Sequence, residues 1–317
     1  MKILITGVHG FVGSNLVKAL SKDNLIYGLD IISPIKDGVR FTFGWDFLDK
    51  ENEIPDVDAI IHLAGKAHDT KNQSAADVYF KVNTDLTKKV FDYFLAHPKC
   101  KKFVFFSTAK AAADKVDGIL TEEVVPSPVG PYGESKIAAE QYILNTLKNR
   151  PEEFKDRSVY IFRPCMIHGP GNKGNLNLLY NVVRKGIPWP LGAYENRRTF
   201  TSVENICFAV NGVLTKDVES GIYNMGDDET LSTNELIEEI CKSLGKKAHI
   251  WKLPKSMMTG IAKIGGWLHM PLNPERLRKL TENYISSNAK IKKALGVEKM
   301  PVDARDGLKV TLKSFAK

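Results

Sequence analysis

The chain has 317 residues, enough for one large core and a smaller annex but not for several independent domains. A hydrophobic fraction of 43% with 26% charged residues excludes a disordered or fibrous chain. The formal net charge of +8 asks for an anionic partner. Its lysines are spread along the chain without a zinc-finger or RNA-binding signature, so diphosphate-bearing small molecules are expected and nucleic acid is not.

The four cysteines, Cys100, Cys165, Cys207 and Cys241, form no C-x-x-C pair and are expected as free thiols of a reducing compartment. The seven histidines have no H-E-x-x-H spacing, so no metal site is expected. The start, Met1-Lys2-Ile3-Leu4-Ile5-Thr6-Gly7, runs straight into a strand and turn, with no secretory signal before it. No stretch reaches the roughly 18 consecutive apolar residues of a membrane span. A cytoplasmic enzyme is the expectation.

In chain order, short β-rich runs occur at residues 2–6, 25–29, 40–44, 59–63, 103–107, 159–162 and 221–225. Most are continuously apolar, as strands buried on both faces of a parallel sheet must be. Residues 77–96 and 133–147 carry apolar side chains at helical spacing and would cover that sheet. The alternation predicts an α/β fold, a doubly wound parallel sheet of the Rossmann type with a smaller C-terminal substrate lobe. Residues 1–165 plus 199–225 are assigned to the sheet domain, and 166–198 plus 226–317 to the lobe. Ser232-Thr233-Asn234-Glu235 resembles a capping box opening a helix over 236–244. The stretch 257–271 is apolar but interrupted by Lys263, His269 and three glycines. An ordinary buried helix is expected there, with a membrane-surface role as the lesser alternative.

Directly after the first run comes Thr6-Gly7-Val8-His9-Gly10-Phe11-Val12-Gly13, then a helical run. Glycine lets the chain turn sharply and lets backbone approach a pyrophosphate, while the helix start offers free N–H groups. A tight turn without a ligand could use the same residues. Asp30, however, ends the second strand, where an acid can accept hydrogen bonds from ribose hydroxyls and repel a 2′-phosphate. Gly7, His9, Gly10, Phe11, Val12, Gly13 and Asp30 are therefore assigned to a dinucleotide, with NAD expected over NADP. The G-x-x-G-x-x-G spacing resembles the extended branch of the short-chain dehydrogenase/reductase superfamily.

Tyr132-Gly133-Glu134-Ser135-Lys136 sets a phenol and an ammonium one helical turn apart. The ordinary phenol pKa near 10 is too high for a base at neutral pH. The ammonium of Lys136 and a positive nicotinamide ring are expected to bring it down. Tyr132 could then exchange a proton with a sugar hydroxyl while hydride passes to or from the nicotinamide. Thr108, closing the fifth strand, could hold the reacting oxygen by a hydrogen bond. A surface tyrosine and a strand terminator are the plain alternatives for these residues.

In order and spacing these pieces resemble the nucleotide-sugar epimerase/dehydratase/reductase group over nearly the whole chain. The resemblance implies a catalytic triad of Thr108, Tyr132 and Lys136, with the last two also touching the cofactor. It places Asp46, and Phe47 beside it, near the adenine. Leu63, Ala64 and Gly65 would line the cofactor, and Asn83 would steady the helix that follows. Arg163-Pro164 through Gly169-Pro170-Gly171 resembles the crossing into the substrate lobe. Asn196-Arg197-Arg198-Thr199-Phe200 resembles the segment whose arginine grips the nucleotide diphosphate, with Arg198 favoured and Arg197 the alternative. A guanidinium suits that task because its planar fork matches paired phosphate oxygens. Residues 284–295 resemble the family's late strand and helix, without a match for its second diphosphate arginine. Lys110 and Met166 are candidate substrate contacts, Met166 standing where galactose epimerases carry asparagine. Dehydratases carry Asp-Glu where this chain has Ala109-Lys110, so dehydration is disfavoured. The expected activity is NAD-dependent 4-epimerisation of a UDP-sugar. Reduction of a UDP-4-keto-6-deoxy-hexose in surface-polysaccharide synthesis is the first alternative, and a non-catalytic NAD-binding regulator the second. Helices over 77–96 and 133–147 would form a homodimer, as they do in the family.

Overall fold

A computed structural model of the chain describes residues 1–49, 55–67, 75–267 and 272–316. Seven strands form one parallel sheet: β1 (Lys2–Thr6), β2 (Leu25–Leu29), β3 (Val39–Phe43), β4 (Ala59–His62), β5 (Lys102–Phe106), β6 (Ser158–Pro164) and β7 (Gly221–Met225). Their order is β3-β2-β1-β4-β5-β6-β7. The chain begins mid-sheet, builds to one edge, returns, and builds to the other. That reversal opens a crevice at the carboxyl ends of β1 and β4, where such folds place their ligands.

Side chains along a strand point alternately to opposite faces, so a continuous apolar run serves two cores. Ile3 and Ile5 of β1 pack with Leu16, Val17 and Leu20 of helix α1 (Phe11–Leu20). Leu4, between them, packs with Phe91 and Phe94 of α2 (Leu86–Ala96) and Ile143 of α3 (Pro131–Asn149). All seven runs read from the sequence lie on this sheet, with ends shifted by a residue or so. Edge strand β3 is the least buried, leaving Arg40 and Phe41 exposed.

The single helix expected over 77–96 is interrupted. Ala76–Tyr79 leads into a widened turn at Phe80–Asp85 before α2 begins. Two side chains of that turn are tied to α3. Asn83 Nδ2 donates to Ser135 Oγ at 3.0 Å, and Thr84 Oγ1 donates to the Ser135 carbonyl at 2.8 Å. Such π-type turns recur at functional sites. Helix α3 itself starts at Pro131, whose fixed φ suits a first helical position.

A second hydrophobic cluster, including Leu176, Tyr180, Phe200, Leu236 and Leu308, underlies the helices of the smaller lobe. It is roofed by a small sheet of Met166–His168, Arg198–Ser202 and Thr230–Leu231. The capping box forms as read: Glu235 N–H donates to Ser232 Oγ, and Ser232 N–H to the Glu235 carboxylate. Late in the chain, Ile285–Ser286 pairs with Ile119–Leu120. The helix after it, Ala289–Leu295, returns to the first core through Ile291 and Leu295.

The helix Lys255–Trp267 departs from the expectation of an ordinary buried helix. Met258, Ala262 and Gly265 face inward, while Met257, Ile261, Ile264 and Trp267 are exposed. Its apolar positions span two adjoining faces, and the lobe covers one.

Candidate active site

The turn after β1 is built on two glycines with separate tasks. Gly7 has φ +68°, a left-handed conformation that disfavours any side chain. Gly13 needs room: a Cβ there would lie 2.4 Å from the Gly7 carbonyl oxygen and 2.9 Å from Val8 Cα. The first turn of α1 therefore sits directly under the loop, with Phe11 and Val12 half-buried. No side chain caps that helix and no acid stands in its first turn, so its N–H groups remain available to an anion. Asp30 reaches the same loop, accepting from the N–H of His9 at 2.9 Å and of Ile31 at 2.7 Å. The loop and its acid fit a dinucleotide's pyrophosphate and adenosine ribose. Lys36, which the sequence reading passed over, closes the rim by donating to Ser14 Oγ at 2.7 Å. Asp46 lies on a short turn, Trp45–Asp49, beyond β3. The side chain of Phe47 lies outside the described part.

Beside the loop, the end of β4 is fixed by an ordered relay. Thr6 Oγ1 accepts from the N–H groups of Leu63 and Ala64 at 3.1 and 3.0 Å, so its own proton goes to His62 Nδ1 at 2.7 Å. His62 then donates from Nε2 to Thr87 Oγ1 at 2.9 Å, and Thr87 donates to the Asn83 carbonyl at 2.7 Å. Burial, with Lys136 nearby, pushes the His62 pKa down to about 3, which keeps the ring neutral. Asn83 continues the clamp: its Oδ1 accepts from Lys66 N–H at 2.7 Å and its Nδ2 donates to the Lys66 carbonyl at 3.1 Å. Leu63, Ala64 and Gly65 are thus held from both sides. A Cβ on Gly65 would come within 3.0 Å of both Asn83 Oδ1 and Lys136 Nζ.

Thr108, Tyr132 and Lys136 meet at the carboxyl end of β5. Thr108 is a polar neighbour of the Tyr132 hydroxyl, and the Tyr79 ring lies edge-on to Tyr132 at 6.4 Å. Lys136 is buried, donating to the Phe106 carbonyl at 2.9 Å, with its ammonium 4.9 Å from the centre of the Phe105 ring. Burial brings the lysine down to about 8, while Glu140 opposes the shift. The expectation that Lys136 lowers the phenol pKa is not met in this arrangement. Burial raises Tyr132 above its ordinary value, the neighbouring Thr108 hydroxyl works against that rise, and the ammonium is turned to Phe106.

Beneath the three lies a cluster that the sequence reading missed. Glu140, one turn beyond Lys136, forms a buried ion pair with Arg163 of β6. Arg163 Nε lies 3.0 and 3.1 Å from the two carboxylate oxygens, and Ser107, next to Thr108, also donates to Glu140. The i,i+4 spacing of Lys136 and Glu140 was the available signal.

Across the crevice, Arg198 begins the strand Arg198–Ser202. It is half-buried and donates to the Lys279 carbonyl at 2.5 Å, with Glu282, Cys165 and Tyr284 as electrostatic neighbours. Arg197 points elsewhere, to Glu235 at 3.1 Å on the exposed side. Lys110 is held by Asp114, 2.9 Å away, and lies 4.8 Å from the centre of the Tyr284 ring. Asp114 also binds Arg278 at 3.0 Å, a residue absent from the sequence reading. Met166 is half-buried in the small sheet, opposite Phe200. The neighbouring Cys165 thiol is pushed up to about 12 by burial, which leaves it no role as a thiolate.

Residues 3–226 match the model of the NAD dependent epimerase/dehydratase family. The chain belongs to that family. Like other family members it is an enzyme, and NAD is the cofactor. It is similar to UDP-glucose 4-epimerase of Vibrio cholerae, 31% identical over 267 residues, covering 80% of this chain and 78% of that protein. It is also similar to the N-acetyl-alpha-D-glucosaminyl-diphospho-ditrans,octacis-undecaprenol 4-epimerase of Escherichia coli O157:H7. There the identity is 28% over 302 residues, covering 92% of this chain and 84% of the other. Its fold resembles that of UDP-glucuronic acid 4-epimerase from Bacillus cereus in complex with NAD. That likeness has a TM-score of 0.76 at 22% identity and covers 100% of this chain and 99% of that one. For this epimerase/dehydratase-family enzyme, the glycine loop and Asp30 are the features into which NAD fits.

Proposed function

We propose that the enzyme is an NAD-dependent 4-epimerase of a UDP-sugar, with Thr108, Tyr132 and Lys136 as its catalytic residues. The observation that carries this reading is the meeting of Tyr132 and Thr108 at the carboxyl end of β5, beside buried Lys136, whose Nζ closes on the Gly65 strand end. A phenol so held meets a substrate hydroxyl at the crevice shared with the glycine loop.

Gly7, His9, Gly10, Phe11, Val12, Gly13, Asp30, Asp46, Phe47, Leu63, Ala64, Gly65, Asn83, Tyr132 and Lys136 are the residues assigned to NAD. When bound, NAD supplies the acceptor and donor for a hydride at the sugar C4. Tyr132 takes the proton of the C4 hydroxyl as that carbon is oxidised and gives it back on reduction. Thr108 holds the phenol and the reacting oxygen in line. Lys136, with its pKa near 8, is mostly charged at neutral pH and is assigned to hold the cofactor beside the phenol. Arg198 grips the diphosphate, and Met166 and Lys110 border the sugar. After Thr108 the chain offers Ala109-Lys110 and no carboxylic acid, which argues against elimination of water.

A homodimer and a cytoplasmic location complete the proposal. The exposed Val78 and Phe80, on the segment packed beside α3, support a partner surface there. Among the described residues no helix is long and apolar enough to cross a membrane.

The test is incubation with NAD and a panel of UDP-hexoses, UDP-N-acetylhexosamines, UDP-hexuronic acids and a polyprenyl-diphosphate N-acetylglucosamine, with products read by proton NMR. Inversion at C4 of a UDP-sugar supports the reading. Turnover confined to 4-keto-6-deoxy sugars with NADH, or to the lipid-linked sugar, would replace it. Light scattering at micromolar concentration tests the dimer.

A further inference from the structure

The helix Lys255–Trp267 carries an apolar face that nothing among the described residues covers. Met257, Ile261, Ile264 and Trp267 are 42, 45, 58 and 80% exposed. At roughly 100° per residue they fall within about 120° of the helix circumference. Met258, Ala262 and Gly265 occupy the adjoining arc and anchor the helix to the lobe. The exposed residues therefore form one continuous stripe, backed by a folded domain. Trp251, just before the helix, is 54% exposed as well.

Along the segment that carries this stripe the charge has one sign, while the helix packed against it adds the exposed pair Glu275–Lys279. Between residues 245 and 274 the sequence has five lysines, Lys246, Lys247, Lys252, Lys255 and Lys263, and no aspartate or glutamate. This segment is therefore locally basic where its apolar surface is bare. Lys263 is exposed beside the Trp267 end of the stripe, and Lys255 is exposed on the opposite side of the helix, 5.4 Å from the centre of the Tyr194 ring. A helix with isoleucine and tryptophan on one face and lysine on the other lies in the plane of a lipid interface. At 13 residues it is far too short to span a bilayer.

We propose that the helix Lys255–Trp267 is a peripheral membrane-docking element that seats the enzyme on an anionic lipid surface. A second copy of the chain is the poorer occupant, because a two-fold contact here would set like charges face to face. An anionic headgroup layer neutralises those lysines while the acyl boundary takes up the isoleucines and the tryptophan. The helix packs on Pro274–Thr281, whose Lys279 carbonyl binds Arg198, so docking would bring the substrate side of the enzyme toward the lipid.

The experiment is cosedimentation of the full chain with vesicles of phosphatidylcholine alone or with about one third phosphatidylglycerol. Binding to the anionic vesicles is expected, weaker at high salt and weak on pure phosphatidylcholine. The double variant Ile261→Gln, Ile264→Gln should lose about tenfold in vesicle affinity or more. Its melting temperature and its turnover of soluble substrate should stay unchanged, since both residues are exposed and outside the site. The pair Lys255→Glu, Lys263→Glu should weaken binding only to the anionic vesicles. Tryptophan fluorescence should shift blue on binding, and Trp267→Phe should remove most of that shift. Failure of the wild-type chain to sediment with either vesicle overturns the proposal, as does equal binding by the isoleucine variant. Loss of self-association in that variant, without vesicle binding by the parent, would assign the stripe to a second copy and also overturn it.

Discussion

The guanidinium of Arg163 and the carboxylate of Glu140 pair inside the protein one helical turn beyond Lys136, with Nη2 and Oε2 2.5 Å apart. Neither side chain has meaningful contact with water. Removing one member of such a pair strands the other charge, at a cost of about 3–5 kcal/mol. Glu140→Gln should therefore lower the unfolding free energy from urea melts by that order. Glu140 also raises the Lys136 pKa against the effect of burial, so its loss should lower that pKa further. The alkaline fall in kcat/KM should then begin at lower pH. A destabilised variant with an unmoved alkaline limb would reduce Glu140 to a purely structural role.

Tyr132→Phe should cost about 10²–10⁴ in turnover, the usual worth of general acid–base assistance, while NAD binding stays intact. The ring still fills its place, but no proton carrier remains. Thr108→Val removes a positioning hydroxyl and should cost less. Lys136→Met should weaken NAD binding and slow turnover together. Steady-state rates paired with calorimetric NAD titrations separate the three, and near-wild-type turnover by Tyr132→Phe would end the proposed mechanism.

Cofactor choice should rest on Asp30. Its carboxylate is fixed by two backbone N–H groups at the ribose end of the loop, so a 2′-phosphate would meet a negative charge. NAD should bind more tightly than NADP. Asp30→Asn keeps an acceptor for His9 but loses the charge, and should narrow the preference by about tenfold, or ~1.4 kcal/mol. Calorimetry with both nucleotides decides the point, and tighter NADP binding by the parent enzyme would refute it.

His62 makes folding stability depend on pH. Its pKa is about 3 in the fold against an ordinary 6.5, so the unfolded chain takes up a proton first as pH falls. Its contribution is whole above pH 6.5 and is lost progressively toward pH 3, at up to about 1.4 kcal/mol per pH unit. Urea melts of the wild type and His62→Asn at several pH values between these limits should show a shallower slope in the variant. Parallel slopes would mean that the ring is not protected from protonation.

The strands were legible because a sheet buried on both faces writes itself as unbroken apolar runs, as in Ala59–His62 and Lys102–Phe106. The glycine loop and the Tyr132–Lys136 pair were legible because their chemistry is local in sequence. What stayed hidden joins distant segments. Glu140 meets Arg163 across 23 residues, and Asp114 meets Arg278 across 164. The break at Phe80–Asp85 is a tertiary effect, since Asn83 and Thr84 are drawn to Ser135, and periodicity carries no trace of that pull. The stretch from Met257 looked buried because periodicity reports an apolar face without saying whether the fold has a surface to meet it.

The relay from Thr6 through His62 and Thr87 to the Asn83 carbonyl has a bearing on proton traffic. An imidazole flanked by hydroxyls suggests a conduit, yet each hydroxyl here is committed to one direction. The line also ends on an amide oxygen that has no proton to pass on. It is a dead end, insulated from solvent on the inner side of the site. The proton that Tyr132 exchanges therefore does not travel along this line, and it can stay with the bound substrate. For a reaction that returns the same hydroxyl it removed, that isolation means that one proton can serve the whole cycle.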